Sequence, residues 1–512
     1  MLYTTPGWAT ERVIEKTEGT TIVALTDYES EDVVRITGGQ LVEEDWAELR
    51  KMFSVGFHLI LDNGQEKIPA GALSIGMIAS AVISISGPNI VSIGNDAFLN
   101  NRFLTSFDFP YLKSIGEMAF FGCSSLTEIT LPRSLESIDD GAFAMCQGLV
   151  SINVAEGNER FKSLDGVLYS ADGGTLFAYP AGKTRREFAS DARNIRRFAF
   201  YGAQNLERVV FSSVVSIGNG AFVSCVRLAD VVLPEGLRSI GQGVFDSCLR
   251  LTEIELPASL EWIGDGAFSY CNSLRSISVA RGSEFFKSLD GVLYSADGNT
   301  LFAYPAGRDN FNYSSNAKEI RPYAFMYARR LRTLTLPHAT SIGEGAFAWC
   351  EFLTAISIPS AGALGNGAFA RCVSLNFMEL GNSVPAIQAR TFTSNRTLLV
   401  VTSEPVENID LEGWPSGTGI ASLRGTATLG PVILRKGDRL TLSMDIEGAA
   451  DYRWAKDRMP ISGANESFLD RPEVSLEDSG IYDVMFSFDM GSGPVGIVVE
   501  GIEVIILPCN GT

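Results

Sequence analysis

Apolar and polar positions along this chain repeat with a long, regular period. Twelve times an apolar residue is followed by three small or polar residues and then by a small residue and Phe or Leu. The phrase reads SIGNDAF at Ser92–Phe98, SIGEMAF at Ser114–Phe120, SIDDGAF at Ser137–Phe143, SIGNGAF at Ser216–Phe222 and SIGEGAF at Ser341–Phe347. Looser copies run from KIPAGAL (Lys67–Leu73) to AIQARTF (Ala386–Phe392), and most copies stand 22 or 23 residues apart. Within Ser239–Glu261 the apolar set is Ile240, Phe245, Cys248, Leu251, Ile254, Leu256 and Leu260. Ile254 and Leu256 alternate with Glu253 and Glu255, which predicts a short half-buried strand, and Pro257 ends it because it has no N–H for a ladder. Gly241 and Gly243 mark a turn, and Phe245–Leu249 is expected to form one helical or 3₁₀ turn. A single coil of this kind cannot bury its own apolar face. Stacked coils can, so the pattern predicts a repeat solenoid with a parallel strand ladder on one side.

The period is interrupted twice, from Ser137 to Asn194 and from Trp262 to Glu319, each time by 57 residues. The interruptions, about residues 153–193 and 278–318, carry nearly the same text. FKSLDGVLYSADGGTLFAYPAG (Phe161–Gly182) and FKSLDGVLYSADGNTLFAYPAG (Phe286–Gly307) lie 125 residues apart and differ only at Gly174 and Asn299. Val167–Tyr169 and Thr175–Tyr179 are strand-like around the turn residues Ala171-Asp172-Gly173, so each insert reads as an aromatic hairpin. Asp165 and Asp172 do not have the spacing of a calcium loop and read as turn residues.

Residues 1–66 lack the phrase. Strand-like segments flank Glu43–Phe53, where Trp46, Leu49, Met52 and Phe53 recur at helical spacing, as expected of an N-terminal cap. The solenoid is expected over 67–402 and a turn-rich linker over 403–430. Residues 431–512 read as a C-terminal Ig-like β-sandwich: Leu440, Leu442 and Met444 alternate, Trp454 follows, and EDSGIYDV (Glu477–Val484) resembles a tyrosine-corner segment around Tyr482. The two cysteines usual in antibody-type domains would fall near Met444 and Val484 and are absent, so packing alone must hold this domain.

Seven of the eight cysteines sit three residues after the repeat Phe: Cys123, Cys146, Cys225, Cys248, Cys271, Cys350 and Cys372. That spacing is the repeat period, which favours small buried plugs over disulfides between coils or a metal site. Cys509 stands apart and is expected to be an exposed, unpaired thiol. A net charge of −19 argues against nucleic acid and anionic membranes, which need a basic face. No apolar run is long enough for a membrane span. The opening MLYTTPGWATER has no apolar leader core, so an exported chain would have had its leader removed, and a cytoplasmic protein is the alternative. The two histidines, His58 and His338, fall in different parts of the chain, and no nucleotide, zinc-protease or dinucleotide motif appears. The residues therefore point to no enzyme, cofactor or metal.

The I-x-x-x-A-F phrase, the Cys three residues later and the L-x-x-I-x-L-P strand, as in Ile115, Phe120, Cys123, Leu126, Ile129, Leu131 and Pro132, resemble the BspA-like (Treponema pallidum-type) leucine-rich-repeat family of bacterial surface proteins, as does the DGVLYSADG…TLFAYPAG hairpin. The resemblance covers about residues 30–400. It implies a right-handed leucine-rich-repeat coil of β/α type and a secreted or surface-displayed, non-enzymatic protein that adheres to host matrix or cell-surface proteins. A structural spacer of the cell envelope with no single ligand is the alternative. Binding is expected on outward strand positions, with Glu128, Arg208, Asp230, Glu253, Glu255, Phe377 and Glu379 as candidates and Asp230, Glu253 and Glu255 as an acidic spot. The insert aromatics Tyr169, Phe177 and Tyr179, with Tyr294, Phe302 and Tyr304, are a second candidate surface, although packing of the hairpin onto the solenoid is the better account of them.

Overall fold

The computed structural model describes all residues other than 1–10, 23–31, 53–55, 75–81, 311, 382–384, 389, 396, 403–413, 416, 428, 430, 431, 490–493 and 509–512. Cys509 therefore lies outside the described residues. The chain divides into two compact units, Met1–Leu251 with Ser259–Ala267, and Thr252–Ala258 with Phe268–Thr512.

In the first unit each regular coil contributes two strands. The L-x-x-I-x-L segments form one parallel ladder, as in Glu128–Leu131 against Ser151–Val154 and Arg208–Phe211 against Asp230–Val232. The Ser-Ile pair of each phrase forms a second parallel ladder, Ser92–Ile93 on Ser114–Ile115 and Ser216–Ile217 on Ser239–Ile240. The expected helical element is absent from the described coils. The residues around each Ala-Phe form consecutive turns instead, because at 22 or 23 residues per coil the chain must reverse again within a few residues of the Phe. Glu11–Lys16, Asp32–Gly38 and Phe57–Asp62 extend the strand ladder in front of Val82–Ser86. The one described α-helix, Glu43–Arg50, covers them by burying Trp46 and Leu49. Asp45, in the first turn of this helix, is fully buried 2.7 Å from Lys16 Nζ. Burial pushes its carboxyl up, but bonds from Lys16 and from the N–H groups of Val42 and Ile22 outweigh this and hold it below the usual carboxylate range.

Two columns tie coil to coil. Successive repeat Phe rings stack: Phe98 on Phe120 at 5.0 Å, Phe200 on Phe222 at 4.6 Å, and Phe222 on Phe245 at 5.5 Å between centroids. Such ring pairs contribute about 0.5–1.5 kcal/mol each beyond the area they bury. Beside them runs a column of thiols. Cys123 Sγ donates to Phe98 O at 3.2 Å, Cys146 to Phe120 O at 3.0 Å, and Cys225 to Phe200 O at 3.1 Å. Each thiol satisfies a carbonyl of the coil before it, which explains why this small apolar position is so regularly Cys. Burial pushes the Cys146 and Cys225 thiols up to about 12.

The glycines of SIGxGAF answer two different demands. A Cβ at Gly264 would lie 2.3 Å from the backbone nitrogen of Gln242 in the preceding coil, so this position sets how closely coils approach. The next glycine precedes Ala-Phe and is left-handed, as at Gly220 with φ +61°.

The insert is itself a coil. Phe161–Leu164, Val167–Ser170 and Thr175–Ala178 form an antiparallel ribbon with one more strand than the sequence suggests. Its last strand then pairs in parallel, Thr175 with Asn194 and Leu176 with Ile195, so Thr-Leu stands where Ser-Ile stands elsewhere. Tyr179 N donates to Ala199 O at 2.7 Å, as Phe120 N does to Ala142 O at 2.8 Å, and its ring stacks on Phe200 at 5.0 Å. Tyr179 thus occupies the Phe position of the column. The signal was present in TLFAY but hidden by the shortened spacing.

The second unit repeats these features. Thr300 and Leu301 pair with Glu319 and Ile320, and the ring column continues from Tyr304 through Phe325, Phe347, Phe369 and Phe392 to Trp414, 5.0 Å from Phe392. Cys350 and Cys372 donate to Phe325 O and Phe347 O at 3.1 and 3.0 Å. The strand ladder passes from Asn312–Ser314 to Thr397–Thr402 and then, within the stretch expected as a linker, to Gly417–Ala427. That strand pairs antiparallel with Leu440–Ile446, which pairs with Phe468–Arg471. A second sheet holds Val432–Arg435, Pro494–Leu507, Gly480–Asp489, Ala449–Lys456 and Met459–Pro460. Leu442, Met444, Trp454, Tyr482, Val484 and Phe486 share one core with Ala355, Phe377, Leu399 and Val401 of the repeat strands.

Three outcomes are expected. Replacing fully buried Phe222 with Ala costs about 3–5 kcal/mol and lowers the melting temperature, because the column loses a ring on both sides. The seven column thiols stay unreactive to Ellman's reagent in the native protein and react on denaturation. Because the folded thiols bind their protons more tightly than the unfolded ones, stability is intact below about pH 9 and falls as pH rises toward 12, by about 1.4 kcal/mol per pH unit per thiol; a Cys146→Ala, Cys225→Ala variant shows a shallower alkaline decline in thermal melts.

Candidate functional site

The outward side chains of the repeat strands are set by strand alternation, one face packed on the coil interior and the other left to solvent. In the first unit, Glu128 is exposed on Glu128–Leu131, opposite Ser151 of the next strand. Arg208 and Asp230 are also exposed and stand in register, and Arg208 Nε lies 2.6 Å from an Asp230 carboxylate oxygen. Of the acidic spot expected from Asp230, Glu253 and Glu255, Asp230 is therefore matched in charge within its own unit. In the second unit, Glu253 and Glu255 are exposed on Glu253–Leu256, in register with Ser276 and Ser278, and form no salt bridge among the described residues. These two carboxylates are the unmatched acids of that strand.

Phe377 is not an outward contact. It is fully buried, because the strands after residue 430 pack over this end of the ladder and turn its outward face into core. Glu379, on the same strand, is half-buried; burial pushes its carboxyl above the usual range, partly offset by a hydrogen bond with Ser357. Asn312 Nδ2 donates to Gly501 O at 2.6 Å, Glu500 N to Thr354 Oγ1 at 3.3 Å, and Arg332 pairs with Glu500, all across this contact. Sequence reasoning placed Phe377 outward from alternation alone. The run of Ala355, Phe377, Leu399 and Val401 at successive outward positions was the available signal that something apolar covers them.

The insert aromatics are packed rather than displayed. Tyr169, Tyr179, Tyr294 and Tyr304 are buried, Tyr294 Oη donates to Ser315 Oγ at 2.9 Å, and Phe161 meets Phe177 edge-on at 5.2 Å.

Where the cover meets the coils, a cleft of about 940 Å³ remains. One wall is made by the segments that lead into repeat strands, with Arg332, Phe352 and Thr354; the other is the outer face of the second sheet, with Arg453, Asp483 and Met485. Burial pushes the Asp483 carboxyl up, although it accepts a hydrogen bond from Gly501 N at 2.8 Å. Among the described residues no group of His, Cys, Asp or Glu is arranged to hold a metal ion, and no helix is long and apolar enough to cross a membrane.

Two parallel ladders, a stacked Phe column and a Cys column define a leucine-rich-repeat solenoid. The model of the BspA type leucine rich repeat region matches residues 79–164, 188–289 and 298–412 in six copies, and the chain belongs to that family. Among solved structures, it is similar to a leucine rich cell surface protein from Faecalibacterium prausnitzii, at 23% identity over 67% of this chain and 81% of that one, with a TM-score of 0.39. The pneumococcal vaccine antigen PcpA shares 19% identity over 80% of this chain and 88% of its own, with a TM-score of 0.46. A leucine-rich repeat protein from Eubacterium ventriosum shares 20% over 65% and 88%, with a TM-score of 0.44. No curated protein matches the chain.

Two substitutions separate the buried from the solvated positions. Phe377→Ala is expected to cost about 3–5 kcal/mol. Asp230→Asn, which breaks an exposed ion pair, is expected to cost less than about 1 kcal/mol. Urea unfolding of both variants checks the contrast.

Proposed function

We propose that this protein works outside the cell or on its surface, without enzymatic activity, by binding host matrix or cell-surface proteins along the outward face of its repeat strands. Membership of the BspA-type repeat family supports the reading. The observation that carries it is the pair Glu253 and Glu255, solvent-exposed on a rigid strand and unmatched by any described cation, beside the small side chains of Ser276 and Ser278. A flat, rigid strand face of this kind suits a broad protein contact better than a small molecule, which needs a concave pocket.

In this reading residues 1–66 are a cap, 67–402 the binding solenoid, 403–430 a connection and 431–512 an Ig-like β-sandwich. Support for the last comes from buried Trp454 and from Tyr482, whose hydroxyl donates to Asp478 O at 2.9 Å, the bond a tyrosine corner makes.

Surface plasmon resonance of the full chain against a panel of matrix and plasma proteins tests the proposal. Saturable binding is expected, weakened about tenfold or more by joint Glu253→Lys and Glu255→Lys substitution and reduced by salt. Binding unchanged in that variant moves the site off this strand. No binding to any panel member, with the purified chain self-assembling, favours the envelope spacer.

A further inference from the structure

The cleft between the last coils and the second sheet combines two features that no structural need of the fold accounts for. The first is exposed apolar surface on both walls: Phe352 on the coil side and Met485 on the sheet side are each 47% exposed. Met485 stands in register between Arg453 and Val498 on neighbouring strands, so a stripe runs across the outer face of the sheet, away from its core.

The second feature is two arginines that form no salt bridge among the described residues, in a cleft whose lining also carries Asp457, Asp483 and Glu500. Of the cleft's charged groups, Arg332 is paired with Glu500 and lies over the Phe352 ring at 5.8 Å. Asp457 accepts from Ile481 N at 2.9 Å and has Lys456 Nζ at 3.9 Å. Arg453 and Arg458 are exposed and form no salt bridge among the described residues, although Arg332 and Arg458 both attract the Asp483 carboxylate at longer range.

We propose that this cleft docks an extended protein segment in which carboxylate side chains neighbour apolar ones. The apolar groups meet Phe352 and Met485, and the carboxylates take the guanidinium forks of Arg453 and Arg458, which match a carboxylate in two parallel hydrogen bonds. A phosphate polyanion fits poorly, since Phe352 and Met485 offer it nothing. The proposal rests on the protein-binding reading but places this contact on a surface separate from Glu253 and Glu255.

The test is fluorescence anisotropy of the full chain with a short fluorescein-labelled peptide of alternating Glu and Leu, beside the same peptide with Lys for Glu, at low and physiological salt. The Glu–Leu peptide is expected to bind saturably and the Lys–Leu peptide not to bind. Joint Arg453→Glu and Arg458→Glu substitution is expected to weaken binding about tenfold or more, and Phe352→Ser to weaken it as well, with unchanged circular dichroism and melting temperature. The Glu253→Lys, Glu255→Lys variant is expected to bind the peptide normally. Absence of saturable binding, or binding indifferent to the two arginines, overturns the proposal. Self-association abolished by the arginine variant without peptide binding also overturns it and assigns the cleft to a second copy. Peptide failure with panel proteins still bound leaves the strand-face reading standing; peptide binding with panel failure does the reverse.

Discussion

Everything in the repeat region depends on the contact between one coil's Phe and the next. A coil of 22 or 23 residues cannot enclose its own side chains, so its stability is borrowed from its neighbours. The stacked rings supply the dispersion and buried area, and the thiol beside each ring closes a hydrogen bond to the preceding coil's backbone. Both interactions operate between coils, which makes the coil-to-coil spacing a sharp constraint. The close approach of Gly264 to Gln242 follows from it, and so does the insertion of Tyr179 and Tyr304 into the column wherever the Phe is missing.

That constraint also explains how the ladder ends. An exposed strand edge invites pairing with another chain. In the second unit Gly417–Ala427 pairs with the last repeat strand and then with Leu440–Ile446, so the ladder passes into the next sheet rather than stopping. The same strands cover the outward face over Ala355, Phe377 and Leu399. Closing the edge and covering the face leave the cleft as the place where the two geometries fail to meet.

Much of the site was legible in residue alternation. Glu128, Arg208, Asp230, Glu253 and Glu255 face outward as their positions require, because the pleat puts every second side chain on the same side. Alternation says which face a residue is on and says nothing of what lies over that face. Phe377 therefore lies in core rather than outward, and Asp230 of the acidic spot is matched by Arg208, its cross-strand partner at the matching repeat position. Arg453, Met485 and Phe352 carried no signal at all: they are far apart in sequence and belong to no shared motif.

The sequence by itself determined the period, the two residue columns and the inward and outward sides of each strand. These are local or nearest-neighbour properties, repeated often enough to be read without coordinates. Tertiary structure alone decided which outward faces stay exposed, that the inserts are coils in their own right, and that two arginines and two apolar side chains line one cleft. Those outcomes depend on how the chain returns onto itself across long sequence separations, where no periodicity constrains it.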